Sequence, residues 1–148
     1  MRPAIEIVFL TMAQYLIERV IPVMAPAYHQ GSVEMAASMM AIAAEEWDRA
    51  ASRRIEENQR LRGLFRLAAP VVAEPALKGR LEALIATRDD DFRISALEAN
   101  NCALRAALIE LHTLIESQPG SEARNIEAAI WKELLASTER RRLSSAQF

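Results

Sequence analysis

The sequence predicts an all-α protein, a single-domain and mostly antiparallel bundle of four to five helices. Three observations lead there. Glycine occurs only four times in 148 residues, while Ala, Leu, Glu and Arg, which lose little side-chain freedom in a helix, recur throughout. Val, Ile and Thr nowhere gather into an alternating run, so no strand is expected. Finally, Ile94, Leu97, Leu104, Leu108, Leu111 and Ile115 fall at spacings of three and four residues or their sum, with Asn101 as the one polar member of that register. Such a seam belongs to a helix packed along its length, carrying one buried amide.

The elements follow in order. The first helix starts near Pro3, a favourable first-turn residue, and runs to about Met24. Ile5, Val8, Phe9, Met12, Leu16, Val20 and Val23 form one apolar face, and Leu10, Ile17 and Ile21 lie beside it. That arc is wider than one surface helix needs, so this helix is either central in the bundle or meets another copy of the chain. Pro22 kinks or ends it by removing a helix donor. Residues 26–31 read as a connection, with Ser32 as N-cap of a second helix from Val33 to about Ala68. Its first half is soft, with Met35, Met39 and Met40 among alanines. Its second half is charged, with Arg53–Glu57 and Glu56–Arg60 at i,i+4. The stripe Trp47, Ala51, Ile55, Asn58, Leu61, Phe65 continues through it, and Gly63 is a possible break.

Residues 70–75 form the clearest linker. A third helix follows over about 76–86 with Leu77, Leu81, Leu84 and Ile85 inward. Asp89, Asp90 and Asp91 then stand ahead of the Ile94–Ile115 helix, where acidic groups can cap it and meet its positive end. Pro119-Gly120 makes a turn, and a last helix presents Ile126, Ile130 and Leu134, flanked by Trp131 and Leu135. The bundle domain is assigned to residues 3–139 and a frayed C-terminal tail to 140–148.

Composition narrows the function classes. A net charge of −2 with 26% charged residues lacks the basic excess that nucleic-acid binding needs. The arginines from Arg49 to Arg66 are interleaved with Glu45, Glu46, Asp48, Glu56 and Glu57, which describes a solvated, salt-bridged face. The apolar N-terminal stretch is interrupted by Glu6, Gln14, Glu18 and Arg19, which argues against a membrane span or a signal segment. One cysteine, Cys102, excludes an intrachain disulfide and a cysteine-based zinc site, and fits a reducing, cytoplasmic setting.

No catalytic residue is indicated, and there is no positive case for an enzyme. Glu110 and His112, two apart, lie on different helix faces, and His29 has no partner spacing, so no metal ligand set of the carboxylate-bridged kind is present and no cofactor is expected. Cys102 and His112 are about 15 Å apart along one helix, too far for a dyad. Cys102 shares a small-residue face with Ala99, Ala106, Ile109 and Thr113, which reads as a buried, inert thiol allowing close helix approach.

What remains is Asn58 and Asn101, polar residues on apolar stripes. Each needs a partner, because an unsatisfied buried amide costs about 1–3 kcal/mol. Either they bond to each other, to backbone or to Arg105 and set helix register, or they anchor a modest ligand pocket. In the second case His112 and Met40 join Asn58 and Asn101 as ligand-binding candidates.

The run Met35-Ala36-Ala37-Ser38-Met39-Met40-Ala41-Ile42-Ala43-Ala44-Glu45-Glu46, followed by Arg60-Leu61-Arg62-Gly63-Leu64-Phe65, resembles a family of small bacterial helical proteins encoded beside acyl-CoA dehydrogenases and small-molecule kinases. The resemblance implies an accessory role near acyl-thioester metabolism and brings no catalytic residues with it. The leading expectation is thus a non-catalytic interaction or accessory protein, self-associating as a dimer and open to a protein partner, without nucleic acid or membrane. The alternative is a binding protein or enzyme for small apolar compounds, acyl compounds among them, with a pocket between the second and fourth helices.

Overall fold

The structure is a computed structural model, and it describes residues 4–25 and 27–143. The all-α expectation is met: the described residues contain five α-helices and no strand. They are α1 (Ile5–Tyr15), α2 (Ala27–Ala68), α3 (Pro75–Ala86), α4 (Ile94–Glu116) and α5 (Ser121–Arg141). The chain divides into two compact units, Ala51–Arg141 and the remainder up to Ala50 together with the chain from Arg142. Helix α2 contributes to both.

In the first unit, α1 passes into a π-helical turn at Leu16–Val20 and a 3₁₀ turn at Ile21–Val23. The amide of Ile21 donates to the Leu16 carbonyl, five residues back. Pro22, one residue later, has no amide to offer, so the widened turn is the local answer to a missing donor. The helical run ends there, with Met24 already extended, as one of the two outcomes expected of Pro22; the expected start at Pro3 lies outside the described residues.

The expected connection at 26–31 is corrected, because α2 already begins at Ala27 and Ser32 lies inside it. Gln30 shows why an early start is stable. Its amide nitrogen donates to the carbonyls of Met24 at 3.1 Å and Ile21 at 3.5 Å, which serves the open end of the preceding turn. The helix also continues through Gly63, where there is no break.

The second unit holds the core. Leu61, Leu64, Phe65 and Ala68 of α2 cluster with Leu77 and Leu81 of α3, with Leu104, Leu108, Leu111 and Ile115 of α4, and with Ile126 and Ile130 of α5. Phe65, Leu81, Leu111 and Ile130 are fully buried. Short connections reverse the chain from α2 to α3, α3 to α4 and α4 to α5, so sequence neighbours run antiparallel. The α2 and α4 segments therefore run parallel: Arg54 pairs with Glu98 and Asn58 meets Asn101. Helix α5 returns antiparallel to α2, with Ser137 and Arg141 reaching Glu57 near its far end.

The α4–α5 turn depends on Gly120, whose φ of 124° is a conformation that side-chain-bearing residues rarely adopt. Pro75 opens α3 at a first-turn position, as its fixed φ favours.

Candidate functional site

Within the second unit one polar network runs through an otherwise apolar interior. It begins at α2, where Glu57, Asn58 and Arg62 are at most 5% exposed. Periodicity explains the placement. Asn58 sits on the stripe that buries Leu61 and Phe65, and Arg62 follows one turn later.

Asn101 donates from Nδ2 to Asn58 Oδ1 at 2.9 Å. Asn58 in turn donates to Asp89 Oδ1 at 3.0 Å and to the Leu97 carbonyl at 3.4 Å. Asp89 also accepts from Asn100 at 3.0 Å. Arg62 grips the same carboxylate in a fork, at 2.6 Å to Oδ2 and 3.1 Å to Oδ1, while its Nε donates to Thr87 Oγ1 at 3.0 Å. At the other end, Arg141 donates to Asn101 Oδ1 at 3.3 Å and to Glu57 Oε2 at 2.7 Å. Glu57 Oε1 accepts from Ser137 at 2.7 Å and Arg105 at 2.8 Å. The network thus ties α2, the α3–α4 linker, α4 and α5 into one register.

Its electrostatics are matched. Burial pushes the Glu57 carboxyl up, but the bonds from Arg141 and Ser137 and the charges of Arg141 and Arg105 outweigh it, holding the group below its usual 4.5. Burial likewise raises Asp89, and the bonds from Arg62, Asn100 and Asn58 with the Arg62 charge outweigh it, leaving it below 3.8. Both carboxylates are therefore ionised at neutral pH. A depressed folded pKa contributes stability that is complete above the unfolded value and disappears as pH falls through the folded one. The stability gap between the wild type and Glu57→Gln is accordingly expected to be widest near neutrality and to narrow below about pH 4. Urea denaturation at pH 7 and pH 3 measures it, and a gap of constant size would contradict the linkage.

The candidate residues separate as follows. Asn58 and Asn101 meet directly, and both amides are occupied. Arg105, one turn after Asn101, bonds Glu57 rather than either asparagine. His112 is eleven residues beyond Asn101 on α4, about 16 Å along the axis, where its ring stands perpendicular to Trp131 of α5 at 5.3 Å between centroids. Met40 is half-buried in the first unit. An open groove of about 360 Å³ lies over the Arg62–Asp89 pair, lined also by Ile55, Arg66, Arg88 and Phe92.

Three local expectations are corrected. The aspartate run does not cap α4: Arg93 stands at the N-cap position with no side-chain cap bond, Asp89 turns into the network, and Asp91 accepts from the Arg93 amide at 3.0 Å. Cys102 is exposed rather than buried, with Sγ 3.7 Å from Glu98 Oε1. Its companions on that face, Ala99, Ala106, Ile109 and Thr113, are exposed with it. Finally, the α5 helix extends through Arg140 and Arg141, both held in ion pairs, while residues 144–148 of the expected tail lie outside the described residues.

Sequence reasoning missed Glu57, Arg62, Asp89, Ser137 and Arg141. A usable signal existed for Glu57 and Arg62, since each is adjacent to or one turn from a buried stripe position. Ser137 and Arg141 join through tertiary contacts across α5 that no local pattern encodes.

No protein-family model, no curated protein and no solved structure matches the chain. Among the described residues, no helix is long and apolar enough to cross a membrane.

Proposed function

We propose that this chain is a cytoplasmic, non-catalytic interaction or accessory protein that self-associates as a homodimer through its first unit. One observation carries the reading. Among the described residues of that unit, the buried apolar ones are all alanines, Ala13, Ala37, Ala44 and Ala50, while Ile7, Leu10, Tyr15, Ile17, Met35 and Met39 are each more than half exposed. An apolar surface of this kind marks an interaction site. Helix α1 and its continuation carry few charges, Glu6 near one end and Glu18 and Arg19 near the other. The exposed small-residue face of α4, around Ala99, Cys102 and Ala106, offers a second surface for close helix approach.

The apolar-ligand reading finds little support at its intended anchor, because the amides of Asn58 and Asn101 are engaged by the protein itself. The resemblance to bacterial proteins encoded beside acyl-CoA dehydrogenases is compatible with an accessory partner role. Sedimentation equilibrium of the wild type across nanomolar to micromolar concentrations is expected to show a monomer–dimer equilibrium. A strict monomer at micromolar concentration would remove the main support for self-association.

A further inference from the structure

A second constellation lies at the opposite end of α4 from the asparagine pair. His112 and Glu116 are one helical turn apart on α4, and Glu127 faces them from α5. One donor atom from each lies within 4.8 Å of the other two. His112 Nε2 is 3.4 Å from Glu116 Oε1, a separation without hydrogen-bond geometry, and this nitrogen is buried with no hydrogen-bond partner. A buried nitrogen left in this state is costly. The perpendicular contact with Trp131 holds the ring in its orientation.

We propose that His112, Glu116 and Glu127 bind one divalent transition-metal ion, stapling α4 to α5 beside their connecting turn. Donors around such an ion sit about 2.0–2.2 Å from it, hence roughly 3–4 Å from one another; the His112–Glu116 pair already has that spacing, and a Glu127 carboxylate oxygen lies within 4.8 Å of both. Two carboxylates balance the ion's charge, and the Nε2 lone pair gains the partner it lacks. The imidazole favours zinc or cobalt over magnesium and calcium, which prefer all-oxygen shells. Three protein donors leave the remaining positions to water.

The test uses the full chain, stripped with chelator and titrated with Co²⁺ by visible absorption and with Zn²⁺ by calorimetry. One equivalent is expected to bind, with a raised melting temperature. His112→Gln and Glu127→Gln should each weaken binding by more than about tenfold, since even groups that only orient a ligand are worth that much. Glu116 is half-exposed, so Glu116→Gln provides a variant whose folding is secure, and circular dichroism of the metal-free proteins checks the other two. Failure of Co²⁺ and Zn²⁺ to saturate the wild type would overturn the proposal. So would binding undiminished in all three variants, or Mg²⁺ bound as tightly as Zn²⁺.

Discussion

Asp89→Ala is expected to destabilise the protein by about 3–5 kcal/mol, the range for removing one partner from a buried ion pair. The side chains of Asp89 and Arg62 are each only 6% exposed. Without the carboxylate, the guanidinium of Arg62 keeps Thr87 as a partner but loses its counter-charge, and Asn58 and Asn100 each lose a 3.0 Å acceptor. Domains of this kind have about 5–15 kcal/mol of total stability, so the variant should unfold at markedly lower urea. Asp89→Asn, which keeps the shape and part of the hydrogen bonding, should fall between the two. A loss below about 1 kcal/mol for Asp89→Ala would mean that the pair behaves as a surface salt bridge.

Phe65→Ala is the second large effect, at about 3–5 kcal/mol. Phe65 is fully buried at the centre of the cluster that joins all four helices of the second unit. Its removal costs both the transfer of the ring from water and the cavity left among leucines that cannot fully collapse. Equilibrium urea denaturation followed by circular dichroism measures it. A change within about 0.5 kcal/mol, the scale of a surface substitution, would show that the core is not packed as described.

These two residues also show what was legible in the sequence. Phe65 was placed on a buried stripe by periodicity alone, as were the seam residues from Leu97 to Ile115, because a helix's apolar face is written in its own spacing. Asn58 and Asn101 were recognisable as buried amides for the same reason, although the network that satisfies them was not. Asp89 looked like one of three helix-capping acids, and only the return of the linker over α2 gives it Arg62. The early start of α2 was hidden because Gly31 and Ser32 resemble a cap, while the Gln30 bonds that favour helix depend on where the preceding turn ends. Cys102 was misplaced because small residues fit a close helix contact and a solvent face equally well. The His112-x3-Glu116 spacing was visible, but its third member lies on another helix.

On the reading proposed above, the exposed apolar residues of the first unit bury one another between two copies, while the polar network sets the packing of the second unit. Sedimentation equilibrium of the wild type beside the double variant Leu10→Glu, Ile17→Glu tests it most directly. Leu10 and Ile17 are 52% and 53% exposed, so two carboxylates there should leave the chain folded but would be desolvated in a dimer. A dimer is expected for the wild type, with dimerisation weakened by about a hundredfold or more in the variant and helical content unchanged. Equal association of the two proteins would contradict it.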